Sequence, residues 1–466
     1  MKFHITGLGK IPEAKIELND LTIICGPNSS SKTWLSYSIY HYLNSFHTSN
    51  IGMAFGLTGY KVNWSDTTSE INIYGDEFQS FLDSYLNQRH NIALSTIHRT
   101  FNVSPSVFSE TRIETDIFNE YKKHITNKLY SSGFDIGIFN KYTVSKIEDS
   151  DIIHVSQNMD EEPNLNYSFS ECVNILLSAA IQDEGDDNNS PYRPFVITSE
   201  RVGSLVFQKD IDGTALSIKD ALEDVNERFM GDPQIESIIR ELSQLTVGHR
   251  ANLAIPVRKN LLAVRNAESE LKKESYLKEF FPNVTEALIQ IVKGKFSFEA
   301  GTLTFTASDG SHQLPITITS SSIKSLFMID LYINSLAKEG DVLLIDEPEL
   351  NLHPDNQRLM AKVIARIANS GIKVLITTHS DYLIREINNF IMLSQNFDEK
   401  EQIMNEYNLS AYDILKPSQV NAYSVSNTGE FSEMDMLDTG IDSRIFDDII
   451  IDANKLQGHL FEALEL

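Results

Sequence analysis

Cysteine is almost missing from this chain, with Cys25 and Cys172 the only two among 466 residues. They lie far apart in apolar settings. Two buried thiols in a reducing cytoplasm are therefore expected rather than a disulfide framework. Long hydrophobic runs are missing too. No stretch approaches about 18 uninterrupted apolar residues, so no membrane-spanning helix is expected. The opening MKFHITGLGK lacks the apolar core of a secretory signal. Positive charge is short: 39 Lys and Arg against 65 Asp and Glu leave a net charge of −26. A surface that binds duplex by neutralising phosphates needs the opposite balance. The best basic cluster is 258-RKNLLAVRNAESELKK-273, and nucleic-acid contact is expected to be weak or indirect. Sustained heptads are also absent, which argues against a long coiled coil.

What is present is an ordinary globular composition, 41% apolar and 22% charged, long enough for about three average domains. The chain is organised around 341-DVLLIDEPELNLHP-354. Val342 to Ile345 show no polar face, the pattern of a central strand covered on both sides. The run stops at Asp346 and Glu347, adjacent carboxylates at the strand's C-terminal edge, where open α/β sheets place their ligands. Successive strand residues point to opposite sides, so the two acids can take different tasks. Asp346 is expected to hold a magnesium ion, directly or through water. Glu347 is expected to orient or deprotonate a water aimed at a γ-phosphate.

A second apolar run, Leu21 to Cys25, leads into Gly26, Pro27, Asn28, Ser29, Ser30, Ser31, Lys32 and Thr33. A helical pattern through Trp34, Leu35, Tyr37, Tyr40 and Leu43 follows. Strand, loop and helix in this order make a phosphate cradle for ATP. Loop amides and the helix N-terminus face the phosphates, Lys32 reaches the γ-phosphate, and Thr33 binds magnesium. Glycine is missing at position 31, where G-x-x-x-x-G-K-[ST] requires it. Serine takes a positive φ there only with strain.

Residues 44 to 190 are irregular and polar. A β-like piece at 69–74 precedes helical patterns at 77–98 and 113–131, and the acidic loop 183-DEGDDNNSP-191 closes the region. Phe195 to Ile197 returns to strand and is followed by Ser199-Glu200-Arg201. Helical patterns over 212–290, one capped by Ser217, read as an arm. In 318-ITSSSIKSLFMIDLYINSL-336 a serine cluster opens a helix with Ile323, Leu326, Phe327, Ile329, Leu331 and Ile333 on its apolar face. Ile372 to Thr377 is a further buried strand, ending in Thr378-His379-Ser380. Singly, these motifs have plainer readings: a solvated acidic turn, a capped helix, a hydrogen-bonded turn histidine. Their order along the chain favours a nucleotide site.

With those residues laid out, the chain resembles the ABC-type ATPases of the RecF, SMC and OLD group. GPNSSSKT stands where the group has GPNGSGKS/T, and SSSIKS at Ser320 to Ser325 where SMC-like proteins have SGGEKS. LLIDEPELNLHP matches the Walker B and D-loop of the OLD-like branch, and ITTHS the switch-histidine strand. The resemblance implies an α/β fold: an ABC-type P-loop ATPase core, a mixed sheet flanked by helices, interrupted by a large mainly helical insertion. It divides the chain into a first core segment (1–60), the insertion (61–190), a core strand segment (191–211), a helical arm (212–290) and a second core segment (291–466). It implies ATP and Mg2+ as cofactors, and Glu347 and His379 as catalytic residues. Two subunits would face each other head to tail, as a homodimer or higher homo-oligomer, with Ser320 and Ser322 reaching the partner's nucleotide.

Serines replace both inner glycines of the phosphate loop and both signature glycines, at 321 and 322, which implies slow turnover. The OLD nucleases carry a TOPRIM metal site that finds no counterpart here. Asp435 and Asp438 sit in a turn-like segment, so the chain is not expected to be a nuclease itself. Stand-alone ATPases of this kind look like the ATPase components of the PARIS and Septu anti-phage systems, which act with a separate nuclease or TOPRIM effector. Two other readings stay open: a RecF- or SMC-like repair ATPase that grips DNA directly, and a non-hydrolysing scaffold around bound ATP.

Overall fold

The computed structural model describes residues 1–47, 68–131, 133–139, 142–157, 192–208, 253–310, 313–442 and 444–464. The expectations for Cys172, the loop 183–191 and the helix capped by Ser217 lie outside the described residues. The chain opens with the hairpin β1 (Lys2–Leu8) and β2 (Ile11–Glu17), then β3 (Leu21–Cys25) and α1 (Lys32–His47). The middle supplies β4 (Thr68–Asn72), α2 (Asp76–Phe101), β5 (Arg112–Thr115), α3 (Ile117–Ser131), β6 (Phe134–Phe139), β7 (Tyr142–Lys146) and β8 (Ile152–Gln157). After β9 (Pro194–Ile197) come α4 (Ile255–Glu270), α5 (Tyr276–Phe280), α6 (Pro282–Val292) and the meander β10 (Gly294–Glu299), β11 (Thr302–Ala307) and β12 (Gln313–Pro315). Helix α7 (Ser321–Leu331) widens into one π-turn, Tyr332–Leu336, before β13 (Val342–Asp346), α8 (Pro354–Ala368), β14 (Lys373–Thr378) and α9 (Asp381–Met392). The last elements are α10 (Lys400–Glu406), β15 (Val420–Val425), β16 (Phe431–Glu433), the small hairpin β17 (Met436–Leu437) and β18 (Gly440–Ile441), and α11 (Arg444–Ala463).

The central sheet runs in the order β16-β15-β3-β14-β13-β9. Every pairing is parallel except the edge pair β15–β16. Register aligns Ile345 with Ile197, Asp346 with Thr377, and Thr378 with Cys25, so the C-terminal ends of four strands meet at one edge. Alternation assigns the two faces. Ile23, Leu343, Ile345, Val374 and Ile376 join a core with α6 to α9 on one side. Ile24, Val342, Leu344 and Leu375 join a second core with α1 and the N-terminal elements on the other. Burial on both faces explains why β3 is apolar apart from Thr22 and β13 is apolar up to Asp346.

In the described part of 61–190 helix outweighs strand, as expected of a mainly helical insertion. Beside α2 and α3 it holds an antiparallel sheet, β4-β8-β7-β6. Its short strands mix polar with apolar residues, as in 142-YTVSK-146, which hides them from helical periodicity. The helix expected from 113 starts at Ile117, because 112–115 form β5 and pair with β1. This segment is thus stitched into the N-terminal sheet, and Ile71, Leu82, Ile113 and Tyr121 share one core with Phe3 and Ile5. The described helices of the expected arm also pack inward. Val264, Leu277, Val284 and Leu288 lie in the core beside β13. The basic segment 258–273 therefore lies largely on one amphipathic helix, α4, with Leu261 and Val264 buried.

Candidate nucleotide site

The phosphate loop adopts the backbone its sequence strains against. Ser29 and Ser31 have φ of 62° and 75°, both left-handed. Gly26 cannot be replaced so easily: a Cβ there would stand 2.3 Å from the Val425 carbonyl oxygen. Helix α1 starts directly after Ser31, at Lys32, so its first amides face the loop. Lys32 is buried, and its Nζ donates to the carbonyls of Gly26 and Pro27, each at 2.8 Å. Burial lowers the Lys32 pKa, while Glu347, Asp346, Cys25 and Glu349 oppose the shift. Beneath the loop, burial and the charge of Glu349 push the Cys25 thiol up to about 12, so it stays a neutral packing group.

Asp346 shares a strand face with Val342 and Leu344, the face toward α1. Thr33 Oγ1 accordingly donates to both its carboxylate oxygens, at 3.2 and 3.0 Å. Thr377 on the neighbouring strand donates to Oδ1 as well. Burial raises the Asp346 pKa against these two hydroxyls, with Glu347 and Glu200 adding to the rise. A carboxylate and a hydroxyl held together at a phosphate loop are the sparse hard-oxygen set that magnesium takes when phosphates supply the rest. Thr33 and Asp346 thus fit the ion.

Glu347 leaves the strand with φ of 51° and its N–H bonded to the Thr377 carbonyl at 3.0 Å. His379 follows β14, and its Nδ1 lies 3.7 Å from Glu347 Oε1 and 3.4 Å from Glu349 Oε1. Glu349 is 4% exposed and accepts from Thr378 Oγ1 at 2.7 Å and from the His379 N–H at 2.9 Å. Its Oε2 is buried with no hydrogen-bond partner among the described residues. Glu349 is not among the residues expected from the sequence, where its only signal is its place two residues after Glu347.

One edge therefore gathers Lys32, Thr33, Asp346, Glu347 and His379. Ser320 and Ser322 are placed differently. Ser320 caps α7, accepting from the Ile323 N–H at 3.3 Å, and Ser322 accepts from Ser325 Oγ through its carbonyl at 2.8 Å. Both sets of bonds stay within α7, and Ser320 is exposed. Arg201 is the second residue that motif reading missed: its fully buried guanidinium donates to the carbonyls of Asp346 and Glu347 at 2.9 and 2.7 Å. Asn260, on α4, also props the site. It accepts from the Thr198 N–H at 2.9 Å and donates to the Val196 carbonyl at 2.6 Å, pinning the end of β9.

A family described as an AAA ATPase domain matches residues 1–384, most of the chain. The protein belongs to this AAA ATPase domain family. An ABC transporter ATP-binding protein of Listeria monocytogenes serotype 4b is 37% identical over 59 residues, 13% of this ATPase and 22% of that protein. The chain thus spans about a fifth of that relative. Among solved structures, an Smc head domain with an extended coiled coil from Pyrococcus furiosus, bound to the C-terminal domain of ScpA, covers 98% of both chains at 10% identity and a TM-score of 0.30. The SMC head domain of Thermotoga maritima covers 83% of this ATPase and 90% of its own chain, at 9% identity and a TM-score of 0.27. Superpositions this loose carry no functional weight. Among the described residues, no helix of this ATPase is long and apolar enough to cross a membrane.

Proposed function

We propose that this ATPase hydrolyses ATP between two copies of itself and that the closed pair acts on a separate effector. The supporting observation is the single sheet edge holding Thr33 on Asp346 beside Glu347 and His379, while the capped end of α7 faces outward. The loop amides and Lys32 hold the phosphates, and Lys32 exchanges the Gly26 and Pro27 carbonyls for them. Thr33 and Asp346 would hold magnesium, which would supply charge neutralisation when bound. Glu347 takes the proton of the attacking water. His379 lies beside it to orient the carboxylate or the water. Ser320 and Ser322 reach the partner's nucleotide, completing a site that one copy leaves open.

Serine side chains at 29 and 31 crowd the approach of the phosphates, and slow turnover follows. The effector is a nuclease or TOPRIM-type protein, and defence against phage is the setting in keeping with the resemblance to PARIS and Septu ATPases. The chain itself acts as the ATP-dependent switch, in the cytoplasm, with weak direct contact to nucleic acid. Its test is molecular size in solution with and without Mg–ATP. A larger species formed only with nucleotide is expected, and an unchanged size at saturating ATP overturns the pairing. For the effector, co-expression with a nuclease or TOPRIM protein encoded beside this chain should give a complex that copurifies. Its absence under both nucleotide conditions overturns that part alone.

A further inference from the structure

Arg201 lies four residues beyond the end of β9 and is 1% exposed. Its Nε donates to the Ser325 carbonyl in α7 at 3.0 Å. Nη1 donates to the carbonyls of Thr198 at 3.1 Å and Asp346 at 2.9 Å, and Nη2 to that of Glu347 at 2.7 Å. All four acceptors are main-chain oxygens. Space-filling alone would favour an apolar residue, because a buried cation is costly unless its geometry is well satisfied. Burial brings the Arg201 pKa down to about 10, against the field of Glu349, Asp346, Glu347 and Glu200, so the group stays charged.

The backbone it grips is strained. Glu347 has φ of 51°, a region that a non-glycine residue keeps only where its surroundings over-determine it. The Thr377 carbonyl takes the Glu347 N–H at 3.0 Å, and Arg201 takes its C=O. Thus β14 holds one side of the residue and Arg201 the other. The same guanidinium reaches Ser325, five positions after the Ser320 cap of α7.

We propose that Arg201 is a positioning residue: it fixes the Glu347 backbone so that the carboxylate addresses the attacking water, and it ties that placement to the seating of α7. The role rests on the ATPase reading above. A planar fork can bridge carbonyls on three segments at once, whereas the compact ammonium of lysine cannot.

The test compares full-length parent, Arg201→Lys, Arg201→Met, Arg201→Ala and Glu347→Gln by melting temperature, Mg–ATP titration and steady-state kinetics. Arg201→Lys and Arg201→Met should bind Mg–ATP within about threefold of parent while kcat falls about 10- to 100-fold, the cost of a misplaced catalytic group. Millimolar guanidinium should restore part of kcat in Arg201→Ala and none in Glu347→Gln. A folded Arg201→Lys with parental kcat overturns the role. So does a parallel loss of affinity, kcat and melting temperature in every Arg201 variant, or failure of all of them to fold, since each marks a structural strut only. If Glu347→Gln hydrolyses as fast as parent, the ATPase reading fails. If it is inactive while Arg201→Lys is fully active, only the role of Arg201 fails.

Discussion

Replacing Ser31 by glycine and, separately, by alanine probes the phosphate loop through its backbone. Ser31 sits at φ of 75°. The left-handed region costs an L-residue about 1–2 kcal/mol, a cost that glycine escapes. Glycine in turn loses about 0.5–1 kcal/mol more chain entropy on folding than alanine does. The difference leaves Ser31→Gly the more stable by about 0.7 kcal/mol, whereas at an ordinary position alanine leads by about 0.5–1 kcal/mol. The inverted sign is the test, and midpoints of urea denaturation at constant slope read it directly. Removing the Cβ also clears the approach of the phosphates, so Ser31→Gly should turn over ATP faster than parent and Ser31→Ala should not. An alanine variant as stable as the glycine variant would refute the positive φ, and with it the backbone reason for proposing slow hydrolysis.

Lys32→Ala should abolish ATP binding in a titration, because it removes the ammonium that the loop carbonyls now hold at 2.8 Å; parental affinity would contradict the loop assignment. Ser320→Arg should leave ATP binding to the isolated subunit intact while blocking ATP-dependent pairing and hydrolysis, and loss of binding in that subunit would oppose its placement toward the partner. Burial raises Asp330 from 3.8 to about 7, with Asn334 and Lys278 opposing. A raised carboxyl keeps its proton in the folded state after the unfolded chain has lost it, so stability falls as pH rises from about 4 through about 7 and then levels off. The rise from 3.8 to about 7 bounds the loss at about 4 kcal/mol. Melting temperatures at pH 5 and pH 8 should diverge more in the parent than in Asp330→Asn, and equal slopes would exclude Asp330 as the source.

The core strands were legible because they are buried on both faces, leaving Val342 to Ile345 without a polar position and Leu21 to Cys25 with Thr22 as its one polar residue. Parity implied only that Asp346 and Glu347 point to opposite sides; in the structure Asp346 shares a face with Val342 and Leu344, which carries it to Thr33 on α1. The residues around that edge were harder to see. Thr377 reaches Asp346 across 31 positions and Arg201 reaches the Glu347 carbonyl across 146, and neither contact has a local pattern. Arg201 lies in ITSERVGSLVF, where a buried cation looks the same as a surface one. The strands at 134–157 pair with one another and with β4 in an antiparallel sheet, so their mixed polarity concealed them. The helices at 255–292 read as an arm because amphipathic periodicity reports an apolar face but not which partner covers it.

Hydrolysis at the edge after β13 is the step on which the proposed function rests, and Glu347→Gln probes it. The amide keeps the carboxylate's shape and can hold a water, but it cannot accept the water's proton. General-base catalysis supplies about 10²–10⁴ in rate, so hydrolysis should fall by that factor. ATP binding is assigned in this proposal to Lys32, Thr33 and Asp346, so it should persist. Rate and molecular size measured together in Mg–ATP should show an inactive protein accumulating as the larger, nucleotide-bound species. A Glu347→Gln protein that hydrolyses ATP at the parental rate contradicts the proposed function.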